Sequence, residues 1–226
     1  CDFLKSNSSV IDDLIVNQTN PTLAIYARRG EIIIRITAKA VDATAATVML
    51  DEGEAALRER LEKYIYGVDD ESLASCLGKE LLEQHKTISF AESCTGGLAS
   101  SLVTDIAGSS EYLIGSIITY TNETKHNLLK VNEATLSAYG AVSEETALEM
   151  AQGVRKLFGS DYGVGITGNA GPGGSEGKPV GLVYIAIATP DEVYCKEFNF
   201  TSTRVENKLR IALTAISMVI DKLKEN

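Results

Sequence analysis

Between Thr119 and His126 the chain reads Thr-Tyr-Thr-Asn-Glu-Thr-Lys-His, directly after the apolar stretch Leu113–Ile118 and shortly after Gly108-Ser109-Ser110. A strand ends here and a helix begins, with a tyrosine and a lysine at the junction. Asn122 is a good N-cap and sets Lys125 in the first helical turn. An ammonium group there faces the positive end of the helix dipole, and burial adds to the cost of its charge. A neutral lysine beside a serine is a usable general base. The chemistry indicated is a serine hydrolase that works without histidine. Ser109 and Ser110 lie one strand earlier and are the candidate alcohols, although alone they read as caps of a short helix into Glu111-Tyr112.

Two other stretches carry chemistry-bearing patterns. Ala91-Glu92-Ser93-Cys94-Thr95-Gly96-Gly97 sits where a strand hands over to a helix. Its glycines let backbone N–H groups approach an anion at a helix N-terminus, and an ordinary tight turn is the alternative. Cys94 with His126 is a further nucleophile candidate, set against a packing role for the cysteine. Residues 167–181, Thr-Gly-Asn-Ala-Gly-Pro-Gly-Gly-Ser-Glu-Gly-Lys-Pro-Val-Gly, hold six glycines and two prolines. A loop of that length and composition between strands points to a lid or to close backbone approach to a ligand.

The elements that must position these groups are legible from hydrophobic periodicity. Residues 8–16 read as a short capped helix followed by a turn ending at Pro21, Glu31–Lys39 as a half-buried strand, and Glu52–Tyr64 as a helix with Ala55, Ala56, Leu57, Leu61 and Tyr64 on its apolar face. Gly67-Val68-Asp69-Asp70 marks a boundary, dividing the chain into a small α+β module, 1–70, and a second domain, 71–226. In the second domain a helix at about 71–85 is followed by strand Thr87–Ala91, a helix from about Gly97 to Asp105, strand Leu113–Tyr120 and the helix bearing Lys125. Ser143–Phe158 is amphipathic, with Ala147, Met150, Ala151, Val154 and Leu157 on one face. Strands Tyr162–Thr167, Val180–Ala188 and Val193–Phe200 precede a long helix, Arg204–Leu223. Interleaved helices and strands predict a three-layer α/β/α domain. The hairpin at Pro190-Asp191-Glu192 makes its sheet mixed.

Composition narrows the function. The 226 residues are 44% hydrophobic and 23% charged, enough for a sizeable core. The net charge of −10 argues against a general nucleic-acid binder. Neither part is basic: residues 1–70 hold eight basic and twelve acidic side chains, and the remainder thirteen and nineteen. Four spread cysteines without CxxC spacing suggest neither zinc nor a disulfide framework. No apolar run spans a membrane and no signal-peptide pattern occurs, so the expected location is the cytoplasm. The chain starts without methionine and in mid-pattern, and is expected to be a fragment of a longer protein.

AESCTGG (91–97), DIAGSS (105–110), TYTNETK (119–125), GAVSEETA (140–147), TGNAGPGG (167–174) and KPVGLVY (178–184) occur in an order that resembles the C-terminal domain of the CinA family. Thr19-Asn20-Pro21-Thr22 and Arg35–Ala40 resemble the KH-like middle domain of longer CinA proteins. The resemblance implies a nicotinamide-nucleotide amidohydrolase that converts nicotinamide mononucleotide to nicotinate mononucleotide and ammonia. It implies Ser110 as nucleophile, Lys125 as general base and Tyr120 in the same hydrogen-bonded group. Substrate contacts are expected from Glu92, Thr95, Gly96, Gly97, Thr167, Gly168 and Arg204. No metal or cofactor is implied, and a homodimer is expected. Longer members carry an N-terminal molybdopterin-binding-like domain, which is expected to be missing here. Two departures stand out: Lys208 occupies a position where the family often has arginine, and His126 one where it usually has a non-histidine residue. The first module contains no GxxG, the loop that clamps a nucleic-acid backbone, and reads as a spacer or oligomerisation element. The alternative to the enzyme is a non-enzymatic nucleotide- or partner-binding module.

Overall fold

The computed structural model describes residues 10–28 and 30–225, and its contacts divide the chain between Asp69 and Asp70. Residues 8 and 9 of the first expected helix lie outside the described residues.

In the first unit, helix α1 (Asp12–Val16) is followed by strands β1 (Thr22–Ala27) and β2 (Ile32–Thr37) and helix α2 (Ala43–Leu61). The strands pair antiparallel from Thr22↔Thr37 to Ala27↔Ile32. Asn20 ties their ends, donating to Lys39 O at 2.8 Å and accepting from Lys39 N at 2.9 Å. Ile11, Leu57 and Leu61 form the buried centre, with Leu23, Ile25, Ile34 and Ile36 packed around it. Helix α2 begins nine residues before the expected Glu52, because the Asp42 carboxylate accepts from Ala45 N and caps it there. Its first turns are Ala, Thr and Val, which carry little amphipathic signal.

The second unit comprises α3 (Leu73–Glu83), β3 (Ile88–Glu92), α4 (Leu98–Thr104), β4 (Leu113–Ile118), α5 (Asn122–Leu129), α6 (Glu133–Tyr139), α7 (Glu144–Phe158), β5 (Tyr162–Gly168), β6 (Leu182–Ala188), β7 (Val193–Asn199) and α8 (Arg204–Lys224). The sheet order is β4-β3-β5-β6-β7. β3 runs parallel to β4 and β5, whereas β5, β6 and β7 pair antiparallel. This is the mixed sheet expected from the hairpin.

Consecutive residues of β3 show the layering. Ala91 packs with Met150 and Val154 of α7, while the Glu92 carboxylate accepts from the first turn of α4, so α7 and α4 cover opposite faces. α5 and α6 join α7 on its side; α3 and α4 pack with α8 on the other. Small residues let α7 lie close to the sheet. A Cβ at Gly163 would fall 2.3 Å from Ala151 O, and one at Gly165 2.4 Å from Ala147 O. Ala186 and Ala188 complete this alanine-lined contact with Ala147 and Ala151. Leu157, expected on the same helix face, is instead 49% exposed at the end of α7.

Candidate active site

The parallel strands β3, β4 and β5 deliver their carboxyl ends to one edge of the sheet, where open α/β sheets bind ligands. Ser93 follows β3, Thr119 and Tyr120 follow β4, and Thr167 and Gly168 end β5. Thr119 N donates to Glu92 O at 2.9 Å and Ser93 N to Ile166 O at 3.0 Å, locking the three ends together. α5 starts one residue before the position expected: Thr121 is its N-cap, in a reciprocal box with Thr124.

That start places Lys125 inside the edge. Its side chain is 1% exposed, and Nζ donates to Thr119 O at 2.8 Å and to Ser93 Oγ at 3.1 Å. Burial pushes the Lys125 pKa down to about 8, against the smaller opposing pulls of Cys94 and then Glu176. A pKa near 8 leaves about one amine in ten neutral at pH 7. The Ser93 partnership therefore lets the same N···O contact carry the serine proton to the amine. Lys125 had been expected to serve a serine, and it does sit beside one.

The serine is a different one. Ser110 is exposed in the 3₁₀ turn Ser109–Glu111, ahead of the first residue of β4, while Lys125 follows the last. Six strand residues separate the two ends, about 20 Å at the usual rise. The pairing of Ser110 with Lys125 is thus corrected to Ser93 with Lys125. Topology decides it: a parallel strand carries its two ends to opposite edges of the sheet. The signal that could have found Ser93 was the strand-to-helix turn at 91–97, which drew attention to the neighbouring cysteine and glycines instead.

Cys94 and His126 do not form a pair. Burial pushes the Cys94 thiol up to about 12, which keeps it protonated. His126 Nδ1 bonds Val131 O at 2.8 Å, and Nε2 lies 3.7 Å from Glu133.

Glu92 also has a different role from substrate contact. Fully buried, it accepts from Gly97 N, Ala99 N, Ser100 N and Ser100 Oγ at 2.8–3.1 Å. Its carboxylate therefore occupies the N-terminus of α4 that the glycine motif had suggested for a substrate anion, and uses the Gly97 N–H. Gly96 N is engaged with Ser93 O at 3.1 Å. What remains open in this turn is the backbone N–H of Cys94 and of Thr95, which donate to no oxygen among the described residues. The buried hydroxyls of Thr95 and Thr119 likewise have no hydrogen-bond partner among the described residues.

Thr167 is buried and donates to Ala141 O at 2.6 Å, tying β5 to the segment before α7. Gly168 is a close-packing residue, since a Cβ there would lie 2.6 Å from Val183 Cγ2. Tyr120 is 59% exposed and its hydroxyl accepts from Arg204 at 2.9 Å, so it joins Arg204 rather than the Ser93–Lys125 pair. Arg204 also donates to Gly171 O of the glycine-rich loop. Lys208, one turn along α8, brings Nζ to 3.6 Å from where a Cβ of Gly96 would stand. Neither cation has an ion-pair partner among the described residues.

Among the described residues no group of three or more His, Cys, Asp or Glu is arranged to hold a metal ion, and no helix is long and apolar enough to cross a membrane.

The fold and its edge define a mixed-sheet α/β protein with a buried serine–lysine pair at the carboxyl ends of its parallel strands. The sequence profile of the CinA C-terminal domain matches residues 70–223, and that of the damage-inducible protein CinA KH domain matches residues 8–67. The chain belongs to the CinA family. It is 45% identical over 210 residues to a CinA-like protein of Kosmotoga olearia, covering 92% of this chain and 51% of that protein. A CinA-like protein of Prochlorococcus marinus is 43% identical over 217 residues, 93% of this chain and 51% of its own length. The chain thus spans about half the length of the curated relatives it matches. The crystal structure of a competence/damage inducible protein from Agrobacterium tumefaciens superposes with a TM-score of 0.65 at 39% identity, covering 71% of this chain and 98% of the other. A CinA superfamily structure from Klebsiella pneumoniae gives 0.67 at 29% identity, covering 68% and 97%.

Proposed function

We propose that this chain hydrolyses the carboxamide of nicotinamide mononucleotide, giving nicotinate mononucleotide and ammonia. The observation that carries the reading is the buried Lys125 amine, 3.1 Å from Ser93 Oγ with its pKa drawn down to about 8. Such an amine is a base near neutrality and needs no histidine.

In this scheme neutral Lys125 takes the proton of Ser93 as Oγ attacks the carboxamide carbon. The oxyanion that forms is met by the N–H groups of Cys94 and Thr95, which donate to no oxygen among the described residues. Thr119 O holds the resulting ammonium in place. Lys125 then returns the proton to the departing nitrogen, and ammonia leaves. Water, deprotonated by the same amine, attacks the ester, releases the carboxylate and restores the Ser93 hydroxyl. Arg204 and Lys208 are the cations available for the substrate phosphate, and Tyr120 orients Arg204. The expected homodimer and cytoplasmic location belong to the same proposal.

The test is ammonia release from nicotinamide mononucleotide by the 226-residue chain, followed across pH. The expected profile rises through a midpoint near 8 as Lys125 loses its proton. Tight nucleotide binding without ammonia would instead favour a non-enzymatic binding module.

A further inference from the structure

Asn207, near the start of α8, is fully buried, which its amide tolerates only if its hydrogen bonds are met. They are met. Oδ1 accepts from Ser202 N at 3.0 Å, and Nδ2 donates to Ser202 O at 3.0 Å and to Ala170 O at 3.1 Å. The two bonds to Ser202 fix the residue ahead of the Thr203 N-cap, and so fix where the helix begins. The bond to Ala170 leaves the helix and reaches the glycine-rich loop.

Arg204 lies one turn earlier on α8 and reaches the next residue of that loop, donating through Nη1 to Gly171 O. Asn207 and Arg204 thus grip consecutive carbonyls, the first from a buried amide and the second from an exposed guanidinium. Nη2 of Arg204 donates to the Tyr120 hydroxyl at 2.9 Å. A guanidinium has five N–H donors, and the other three of Arg204 have no acceptor among the described residues. A planar fork of free N–H groups suits the paired oxygens of a phosphate monoester.

An exposed arginine carries about 2 kcal/mol of rotamer freedom, which a ligand must quench unless the side chain is already held. Gly171 O holds Arg204 only if residue 171 is itself held. Gly171 has φ +94° and is soon followed by Gly173 and Gly174, so this stretch of backbone is permissive. Asn169 closes the loop on itself, accepting from Ser175 Oγ and donating to Lys178 O and Pro179 O at 3.3 Å. Asn207 ties it to α8, one residue ahead of the carbonyl that Arg204 uses.

We propose that Asn207 is a positioning residue for binding of the substrate phosphate. By holding Ala170 O it fixes Gly171 O, and so sets the Arg204 guanidinium in place before the nucleotide arrives. This role deepens the amide-hydrolysis reading and rests on it.

The experiment uses the full chain as wild type, Asn207→Ser, Arg204→Ala and the double variant, each checked for folding by circular dichroism. In Asn207→Ser, ammonia release should show KM for nicotinamide mononucleotide raised about fivefold with kcat within about twofold. For the phosphate-free riboside, kcat/KM should stay within about twofold of wild type. In the Arg204→Ala background the same substitution should change KM by less than about twofold, because the group it acts through is gone. A similar rise in both backgrounds, or a fall in kcat at unchanged KM, overturns the role and marks Asn207 as a helix fastener only. A second measurement needs no Asn207 variant to fold. In NMR of the ligand-free wild type, the Arg204 guanidinium, assigned against Arg204→Ala, should give separate Nη signals, as a side chain held at two points does. One rotationally averaged signal overturns the role while leaving an active wild type explained. A wild type with a held guanidinium that releases no ammonia overturns the functional reading, and this role with it.

Discussion

Replacing Lys125 by methionine should remove activity and at the same time relieve the folded state of a buried charge. The amine is 1% exposed and its pKa falls from 10.5 to about 8 on folding. A depressed lysine pKa means the unfolded chain binds the proton more readily, so protonation opposes folding. Below pH 8 lysine is charged in both states and the penalty is complete, about 3 kcal/mol. As pH rises from 8 to 10.5 the penalty fades, and above that both states are neutral. Methionine abolishes it at every pH. Against this gain, Thr119 O loses its donor, which costs about 1–3 kcal/mol regardless of pH. The net difference at pH 7 is therefore small and its sign is not diagnostic; its slope is. Urea unfolding followed by circular dichroism at pH 7 and pH 9.5 should show the variant losing about 2 kcal/mol relative to wild type as pH rises. Parallel stability curves would refute the argument, because they would mean that Lys125 folds with an ordinary pKa.

Three further substitutions test other parts of the account. Glu92→Gln breaks a charge-assisted cap of four donors and should cost roughly 2–3 kcal/mol in thermal or urea unfolding, with activity falling in step with unfolding rather than through KM. Gly165→Ala sets a methyl 2.4 Å from Ala147 O, and should destabilise the second unit by about 2 kcal/mol or more, read from the same transition. Arg204→Ala should raise KM for nicotinamide mononucleotide by about tenfold or more and change KM for the phosphate-free riboside little, as steady-state ammonia release will report.

The sheet of the second unit was readable because its strands are short apolar runs separated by capped, amphipathic helices. Ser143, Thr203 and Ser72 each cap the helix that follows them. Elements with weak periodicity were not readable. Strand β1 follows Pro21 without polar alternation, α6 is a short polar segment, and the start of α2 depends on one aspartate cap. The place of Lys125 at the end of β4 was readable because a helix start and a preceding strand fix it locally. Its partner was not, since Ser93 and Ser110 both flank strands and only the direction of β3 and β4 puts one of them at the right edge. Glu92 was misread for a related reason. A buried carboxylate next to a glycine turn resembles a ligand contact in sequence, and its commitment to α4 is visible only when the N–H groups are followed to their acceptors.

A direct comparison of Ser93→Ala with Ser110→Ala, measured as ammonia release from nicotinamide mononucleotide at pH 8, bears most closely on the site. Loss of about 1000-fold or more in kcat with the first, and a rate within about twofold of wild type with the second, is the result expected of a lysine-activated alcohol at the end of β3. Full activity in Ser93→Ala, or a comparable collapse in Ser110→Ala alone, would contradict it.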